Sequence, residues 1–393
     1  MNKKMYELGS KRSVIRDLFE YGRNLAKEVG EDKVYDFSLG NPSIPAPDCV
    51  NDGIRALIEN DATVIHGYTS ATGDNGVRAK ISAYIKKTFG FELPSALIYM
   101  TTGAAAALSI TFKALVDDDH DEFITFAPFF PEYKVFVEAG GGKLKVIKPK
   151  DENFGINVDD LSTAITPRTV GVIINSPNNP SGNVYSKEEI IALSETLEKK
   201  SKEYAHPIYL ISDEPYREVV YDKIEVPYVP NYYSNTIVCY SWSKSMSLAG
   251  ERIGYIAVSP KATDAGDVFF AICGAGRALG YVCASSLFQR VVANGIGQTS
   301  DIDIYKANRD KLYNNLTRLG LTCLYPKGAF YLFVKCPIES KDFCEKAKKL
   351  GILFVPSESF GVDGWVRIAY CVAPDMIDRS LPAFEKLVKE CKE

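Results

Sequence analysis

Short apolar runs alternate with longer segments of helical periodicity over much of this chain, and this alternation limits the folds open to it. The apolar runs predict strands over 97–101, 123–126, 143–147, 170–175, 208–212, 236–240 and 252–258. Helical patterns at 75–89, 104–116, 133–139 and 187–204 lie before or between them. Parallel strands need long crossover connections, which are usually helical. The alternation therefore predicts an α/β fold with a mostly parallel sheet between helices on both faces.

The pattern changes toward both ends of the chain. From about residue 302 the order is a long helix, a strand at 328–334, a helix at 341–350, a strand at 365–369 and a last helix from residue 374, which predicts a smaller α+β domain. We expect residues 1–48 to contribute to the small domain, residues 49–295 to form the large domain, and residues 296–393 to complete the small one.

An amphipathic helix is predicted over residues 13–29, ahead of the first strand. Ser13 is its expected N-cap, because a serine hydroxyl can accept a hydrogen bond from a backbone N–H group of the first turn. The apolar face is expected to consist of Val14, Leu18, Leu25 and Val29.

Composition is that of a globular chain and argues against several classes of function. The chain has 393 residues and a formal net charge of -4, with 46% hydrophobic and 24% charged residues. Without a net positive charge, no nucleic-acid partner is expected. The polar start lacks the apolar region of a secretory signal. Arg277 and several glycines interrupt the most apolar stretch, so no membrane partner is expected.

Cysteine and histidine usage bears on the compartment and on metal binding. Nine cysteines occur without any Cys-x-x-Cys pair. This is typical of reduced thiols and predicts a cytoplasmic protein. The histidines His66, His120 and His206 are far apart and match no ligand spacing, so no metal site is expected.

A lysine lies among hydroxyl groups directly after the strand predicted at 236–240. The segment Ser241-Trp242-Ser243-Lys244 is followed, eight residues after the lysine, by Arg252. Hydroxyl groups and a guanidinium suit a phosphate, and a nearby lysine can form an imine with an aldehyde. The segment suggests pyridoxal phosphate, with Lys244 as the Schiff-base lysine and Ser241, Ser243 and Arg252 at the phosphate. A solvated surface lysine is the alternative for this stretch taken alone.

Asp213 follows the strand predicted at 208–212, in the segment Ser-Asp-Glu-Pro-Tyr. Ligands bind at the carboxyl ends of strands in α/β folds. A pyridine cofactor accepts electrons well when its ring nitrogen stays protonated, and a carboxylate beside that nitrogen keeps it so. Asp213 is the candidate for this role, and Tyr216 is a candidate donor to the phenolic oxygen of the cofactor. A capping aspartate and an ordinary half-buried tyrosine are the alternatives.

The segment Asn-Ser-Pro-Asn-Asn-Pro-Ser-Gly at 175–182 predicts a rigid turn after another buried strand. Asn179 could donate its amide to the same phenolic oxygen as Tyr216. Two donors there would lower the pKa of the imine, so that it reacts near neutral pH. The Asn179–Pro180 bond is a candidate cis bond, because only bonds before proline adopt that form at little energetic cost.

Two other strand ends carry residues that suit the same cofactor. Gly103, Ala104 and Ala105 begin the helix after the strand at 97–101. Small residues there let a phosphate approach the N–H groups of the helix N-terminus, where the helix dipole also favours an anion. Phe130, after the strand at 123–126, could stack on a pyridine ring, with a place in the core as the alternative.

Three residues remain that could meet a substrate or a cofactor. Arg367 lies between apolar neighbours on the strand predicted at 365–369, where a buried arginine needs an anion. A substrate α-carboxylate would serve, and a structural salt bridge is the alternative. Tyr68 lies in a glycine-bearing loop and Gly40 in an early Gly-Asn-Pro turn, and neither indicates a function by itself.

Taken in order along the chain, these segments resemble the class I/II aminotransferases of fold type I, the aspartate aminotransferase superfamily. The resemblance covers the chain from about residue 13 to its end. It implies a large domain with a mostly parallel seven-stranded sheet between helices, plus a smaller α+β domain. It also implies pyridoxal 5'-phosphate as cofactor, with an L-amino acid and a 2-oxo acid as substrates.

The resemblance also implies a role for each candidate residue. Lys244 would be the Schiff-base lysine and proton shuttle, and Asp213 would pair with the pyridinium. Asn179 and Tyr216 would bond the phenolic oxygen, and Phe130 would stack on the ring. The phosphate would be held by Gly103, Ala104, Ala105, Ser241, Ser243 and Arg252.

Substrate and subunit contacts are implied in the same way. Arg367 would bind the substrate α-carboxylate, with Asn179 and the backbone N–H of Gly40 beside it. Tyr68 would reach the phosphate in the neighbouring subunit, which implies a homodimer. The first helix, near Ile15, would cover the mouth of the site.

The implied reaction is ping-pong transamination. The amino acid would displace Lys244 from the imine, and the freed Lys244 would take the α-proton as a general base. Lys244 would then return that proton to the cofactor carbon. Hydrolysis would release a 2-oxo acid, and a second 2-oxo acid would reverse the sequence.

The chain departs from familiar aspartate aminotransferases at a position that affects specificity. Some of them carry a lysine and others a hydroxyl where this chain has Ala105, which weakens the case for aspartate. Arg277 could supply a distal cation, although a surface or structural role is the preferred interpretation. Its segment, Gly274-x-Gly276-x-x-x-Gly280, departs from the dinucleotide-binding spacing and is interpreted as a flexible loop.

Two alternative functions remain open on the sequence. A β-lyase similar to cystathionine β-lyase would use the same lysine and aspartate but expel a β-substituent. A non-catalytic ligand-sensing module would use the cofactor site for binding only, and the complete set of catalytic candidates argues against it.

Overall fold

The computed structural model of the chain describes residues 1–10, 14–59 and 62–392. Its strands are β1 Tyr35–Asp36, β2 Ile98–Thr101, β3 Glu122–Phe126, β4 Lys143–Ile147, β5 Thr169–Asn175, β6 Tyr209–Asp213, β7 Thr236–Ser241, β8 Gly254–Val258, β9 Cys323–Leu324, β10 Tyr331–Lys335, β11 Ile352–Leu353, β12 Val355–Pro356 and β13 Trp365–Ala369. Its helices are α1 Lys3–Ser10, α2 Val14–Val29, α3 Asp48–Ile58, α4 Ala62–His66, α5 Asn75–Phe89, α6 Ala104–Leu115, α7 Glu132–Gly140, α8 Val158–Ala164, α9 Lys187–Tyr204, α10 Ala265–Leu279, α11 Ser286–Ala293, α12 Ile302–Arg318, α13 Ser340–Lys349 and α14 Pro374–Glu390.

A large mixed sheet forms the centre of the fold and confirms the predicted α/β class. Over the described residues its seven strands run in the order β2-β8-β7-β6-β5-β3-β4. β8 pairs antiparallel with β2 and β7, and the other neighbours are parallel. β6, β7 and β8 are buried along their whole length, as their continuous apolar sequences predict.

The topology brings three predicted site segments to one edge of this sheet. β5, β6 and β7 are parallel neighbours, so their carboxyl ends meet where α/β folds bind ligands. Asn175 at the end of β5 pairs in register with Asp213 at the end of β6. The Asn175 amide also donates to the Asp213 carbonyl at 2.9 Å. The turn that begins at Asn175 is therefore anchored beside Asp213.

Helix α6 lies against the large sheet and carries its N-terminus to the same edge. It packs against α7, α10 and β7. Its buried side includes Ala106 and Ala107, whose small side chains let the helix approach the strands closely.

A smaller unit is built around the antiparallel sheet β12-β13-β10-β9, with α12, α13 and α14 packed nearby. β1 pairs in parallel with β11, and the Ala369 N–H donates to the Phe37 carbonyl at 2.9 Å. These contacts join the N-terminal segment to the C-terminal part of the chain. The domain boundaries after residues 48 and 295 remain a prediction.

Three local predictions are wrong. The segment from Gly274 to Gly280 is not a loop, because it forms the end of α10 with Gly280 as a left-handed cap. The predicted strand at 252–258 begins at Gly254, since Arg252 has a left-handed backbone with φ 54°. The buried side of α2 is narrower than its sequence suggests: Leu18 and Gly22 are buried while Val14 and Val29 are exposed, because the helix lies on the surface. Ser13, its expected N-cap, lies outside the described residues.

Other predictions can be compared directly with the structure. The Asn179–Pro180 bond is cis, as are Ala127–Pro128 and Ser176–Pro177. All nine cysteines are free thiols in the structure. Across the described ranges, no helix combines the length and the apolar character needed to span a membrane.

Candidate active site

A cavity of about 350 Å³ opens where β5, β6 and β7 end. Its wall contains predicted residues from seven separate parts of the chain, together with Ile15 of α2. They are Gly40, Ala104, Ala105, Phe130, Asn179, Asp213, Tyr216, Ser241, Ser243, Lys244, Arg252 and Arg367. Gly103 lies directly before α6 as its N-cap. Tyr68 is 98% exposed and does not line this cavity within one chain.

Asp213 is a buried carboxylate with one oxygen unpaired. Its Oδ2 accepts a hydrogen bond of 2.5 Å from the hydroxyl of Tyr133, while its Oδ1 has no partner among the described residues. Burial raises the pKa of Asp213 to about 7, against the opposing effect of Tyr133. An unpaired buried carboxylate is costly unless a cation meets it. The cavity therefore suits a ligand with a positively charged or protonated group at this point.

Lys244 is partly buried in the same cavity. Its Nζ donates to the Gly40 carbonyl at 2.7 Å and lies 5.5 Å from the centre of the Phe330 ring. Burial, together with the cationic neighbours Arg367 and Arg252, lowers the pKa of Lys244 to about 8. A large fraction of this amine is therefore neutral near pH 8, as a nucleophile or general base must be.

The start of α6 and the segment after β7 form one end of the cavity. Gly103 has φ 87°, and a Cβ atom there would lie 2.9 Å from Arg252 Nη2, so glycine leaves room for the guanidinium. The Ser241 hydroxyl accepts from the Ser243 N–H at 3.0 Å and lies 2.5 Å from the Ser243 hydroxyl. Helix N–H groups, hydroxyls and an arginine in one place are a combination that can bind an anion.

Arg367 is buried at another part of the cavity, on β13. It donates to Asn179 Oδ1 at 2.9 Å and to the Ser38 carbonyl at 2.6 Å, while its Nε has no partner among the described atoms. These neutral acceptors hold the guanidinium in place without cancelling its charge. The site can therefore bind a carboxylate.

The family model "Aminotransferase class I and II" matches residues 32–384, which is most of the chain. The chain belongs to the class I and II aminotransferases. Members of this family use pyridoxal 5'-phosphate, so the cofactor prediction is confirmed.

Individual aminotransferases are similar to this chain over nearly its full length. A solved structure of an amino transferase from Eubacterium rectale is 56% identical, covers 100% of this chain and 99% of its own, and superposes with a TM-score of 0.98. Aspartate aminotransferase of Sulfolobus acidocaldarius is 28% identical, with 94% of each chain covered. Aromatic-amino-acid aminotransferase 2 of Thermococcus litoralis is 26% identical, with 97% of this chain and 96% of its own covered. These relatives favour a transferase over the lyase and the sensing module.

The residues of this aminotransferase fit pyridoxal 5'-phosphate both at its ring nitrogen and at its phosphate. The unpaired Asp213 Oδ1 suits a protonated ring nitrogen. The anion site formed by α6, Ser241, Ser243 and Arg252 suits a phosphate. The Lys244 amine lies in the same cavity and could reach an aldehyde.

The structure adds two tyrosines to the site that the sequence interpretation missed. Tyr133 donates to Asp213, and the Tyr331 hydroxyl lies 2.8 Å from that of Tyr216. Tyr133 stands in the same aromatic segment as Phe130, and their rings meet edge to face at 5.7 Å. No spacing rule links either tyrosine to its partner, because 80 and 115 residues separate them.

Two residues singled out by the sequence lie away from the cavity. Arg277 is exposed in the last turn of α10 and does not line the cavity of its own chain. His120 is exposed beside Asp118 and Asp119, and their potential ligand atoms lie within 4.8 Å of one another. Arg168 and the His120 N–H already bond the two Asp118 oxygens, so we interpret this cluster as a hydrogen-bonded turn.

Proposed function

We propose that this aminotransferase moves the amino group of an L-amino acid to a 2-oxo acid by a ping-pong mechanism that depends on Lys244. The observation that carries the proposal is the presence of the Lys244 amine and an unpaired buried Asp213 oxygen in one cavity. The cofactor supplies an electron sink for the bonds to the substrate α-carbon. All other steps depend on residues of this chain.

Lys244 has two tasks in this proposal. Its amine would hold the cofactor through the aldehyde in the resting enzyme and would be set free when an amino acid takes its place. The freed neutral amine would act as the general base that takes the proton from the substrate α-carbon and as the acid that returns it. Its depressed pKa, about 8, supports both tasks, because a permanently protonated amine could perform neither.

The remaining residues hold and orient the reactants. Asp213 would keep the ring nitrogen protonated, Asn179 and Tyr216 would bond the phenolic oxygen, and Phe130 would stack on the ring. Gly103, Ala104 and Ala105 at the helix start, with Ser241, Ser243 and Arg252, would hold the phosphate. Arg367 would bind the α-carboxylate, with the backbone N–H of Gly40 beside it.

The donor is expected among acidic or aromatic L-amino acids, the classes named for the relatives. The decisive experiment is an absorbance titration of the cofactor-loaded protein with each common L-amino acid, without any acceptor. We expect conversion of the resting spectrum to that of the aminated cofactor, and its return on adding a 2-oxo acid. Pyruvate release from cystathionine or other β-substituted amino acids, without such conversion, would contradict the proposal.

Arg367→Ala is expected to raise KM for the amino acid about tenfold to a hundredfold, with a smaller change in kcat. The substitution removes a charge-assisted contact of about 1.5–3 kcal/mol that is made in both the ground state and the transition state. Steady-state kinetics with both substrates provide the measurement. Arg277→Ala is the matched control and is expected to leave KM unchanged. An unchanged KM in Arg367→Ala would show that another residue binds the carboxylate.

We propose a homodimer in which Tyr68 reaches the neighbouring active site. Support comes from the 98% exposure of Tyr68 beside other exposed apolar side chains. Tyr281 and Val282 are 39% and 40% exposed, and the adjacent Cys283 Sγ contacts the Thr69 carbonyl at 3.4 Å. Such an exposed apolar patch is typical of an interface.

The cytoplasm remains the proposed compartment, because the nine free thiols suit a reducing environment.

Tyr68→Ala is expected to weaken cofactor binding about tenfold or more, because one charge-assisted hydrogen bond to the phosphate is lost. If Tyr68 acts across the interface, a hybrid dimer of one Tyr68→Ala chain and one Lys244→Ala chain should contain one complete site. That site combines Lys244 of the first chain with Tyr68 of the second. Hybrids purified through two different tags, and assayed at limiting cofactor, should therefore show about half the wild-type activity per dimer. A hybrid no more active than either parent dimer would rule out this arrangement.

A further inference from the structure

Tyr331 contacts three parts of the candidate site at once, although nothing in its local sequence indicates this. It is the first residue of β10, and its side chain is buried and lines the cavity. Its hydroxyl lies 2.8 Å from that of Tyr216. Its ring lies 4.6 Å from the guanidinium carbon of Arg367. A side chain at Gly40 would collide with the Tyr331 hydroxyl, so glycine at that position makes room for the phenol.

The contact with Arg367 is a cation–π interaction at close range. A guanidinium within about 6 Å of a ring face is attracted to it, and the attraction is stronger where water is excluded. Phe360 lies on the same guanidinium at 5.2 Å. The two rings, together with Asn179 Oδ1 and the Ser38 carbonyl, hold the arginine in one orientation. Removing the Tyr331 ring should therefore loosen the group that would bind the α-carboxylate.

The contact with Tyr216 has a preferred direction. In a pair of hydroxyls the more acidic one is the better donor, and a cation over its ring makes a phenol more acidic. Burial raises the pKa of both hydroxyls and the charge of Arg367 opposes that rise in both, but the guanidinium carbon of Arg367 lies over the ring of Tyr331, at 4.6 Å. The guanidinium over its ring therefore favours Tyr331 as the donor. The hydrogen of the Tyr216 hydroxyl is then free for an acceptor in the cavity.

We propose that Tyr331 is a positioning residue that donates its hydroxyl hydrogen to Tyr216 and supports Arg367 with its ring. It thereby aims the Tyr216 hydroxyl hydrogen into the cavity and couples that donor to the substrate-binding arginine. This inference rests on the proposed function, in which Tyr216 donates to the phenolic oxygen of the cofactor.

Two substitutions separate the two contacts. Tyr331→Phe removes the hydroxyl and keeps the ring, whereas Tyr331→Leu removes both. Tyr370→Phe is the matched control, because Tyr370 is an equally buried tyrosine of this region whose hydroxyl donates to the Ala329 carbonyl at 3.2 Å, outside the cavity. The first measurement is a pH titration of the visible absorbance of the cofactor-loaded protein, without any amino acid. The second is KM for the amino acid.

In Tyr331→Phe we expect the pKa read from the absorbance to rise by about half a unit to one unit. The reason is that Tyr216 no longer receives the hydrogen bond that directs its own hydroxyl toward the cavity. KM should stay within about twofold of wild type, because the ring still supports Arg367. Tyr331→Leu should also raise KM, by about threefold to thirtyfold. Tyr370→Phe should change neither quantity.

Two results would overturn this role for Tyr331. An unchanged or lowered absorbance pKa in Tyr331→Phe would mean that Tyr216 is the donor in the pair. An equal rise of KM in both Tyr331 variants would mean that the ring does not support Arg367. A wild-type protein that shows no cofactor absorbance linked to Lys244 would instead contradict the proposed function, and the inference about Tyr331 with it.

Discussion

Lys244→Ala is expected to lower kcat by about 10⁴-fold or more. General acid–base catalysis alone contributes up to about 10⁴-fold, and this substitution also removes the covalent attachment of the cofactor. Lys244 is the lysine that lines the described cavity, and its amine is held at 2.7 Å from the Gly40 carbonyl. The measurement is turnover after reconstitution with the cofactor, together with the visible spectrum.

Lys244→Arg tests whether Lys244 acts through its reactive amine or only through its positive charge. It keeps a cation in the cavity, but arginine stays protonated in proteins and can neither attack an aldehyde nor accept a proton. We expect it to be as inactive as Lys244→Ala, while Lys199→Ala, at an exposed position of α9, keeps full activity. Borohydride reduction of the wild-type protein should fix the cofactor at residue 244. Multiple turnovers in either Lys244 variant, or a reduced adduct on another lysine, would refute the assignment.

Asp213→Asn is expected to lower kcat at least about 100-fold with little change in side-chain shape. A buried charged hydrogen bond to the cofactor is worth about 3 kcal/mol or more, and the amide cannot keep the ring nitrogen protonated. Glu218→Gln is the matched control. Burial also raises the pKa of Glu218 to about 7, but Glu218 bonds Tyr240 and does not line the cavity. A kcat loss of similar size in both variants would indicate a general effect of removing a buried carboxylate.

The same substitution should change the pH dependence of stability of the cofactor-free protein. The pKa of Asp213 is raised from 3.8 to about 7 on folding, so its stabilising contribution is fullest below pH 3.8 and is lost as the pH rises through about 7. At about 1.4 kcal/mol per pKa unit, the loss amounts to roughly 4 kcal/mol at most. Asp213→Asn removes this loss, so the variant's Tm should exceed that of wild type at pH 8, and the difference should shrink below pH 7 and vanish as the pH falls to about 4. A constant Tm difference across this range would show that Asp213 does not titrate as its burial implies.

Most of the secondary structure could be predicted because it depends on local patterns. β4, α5, α9 and β13 have the predicted bounds, since apolar periodicity and terminal capping act over a few residues. The Ser186–Glu189 capping box at the start of α9 is a local signal of this kind. The prediction for the end of α10 was wrong because a helix segment rich in glycine has the sequence pattern of a loop. In the structure, packing overrides the low helix propensity of these glycines.

The candidate site was predictable where strand ends and small-residue turns carry reactive side chains. Lys244, Asp213 and Asn179 were found this way, because parallel strands bring their carboxyl ends together. Their assigned roles stay predictions until the variants are measured. Tyr133 and Tyr331 were missed, because a tyrosine among apolar residues has the same local sequence whether or not its hydroxyl reaches a functional group.

The sequence by itself determined the order of strands and helices, the turns at the ends of β5, β6 and β7, and the set of residues able to hold a phosphate, an aldehyde and a carboxylate. Only the tertiary structure decided which of these groups meet. Arg367 reaches Asn179 across 188 residues, and Lys244 reaches Gly40 across 204. The burial that shifts the pKa values of Asp213 and Lys244 is likewise a property of the assembled cavity. Local patterns arise from interactions within a few residues, whereas desolvation and long-range hydrogen bonds exist only after distant segments have packed together.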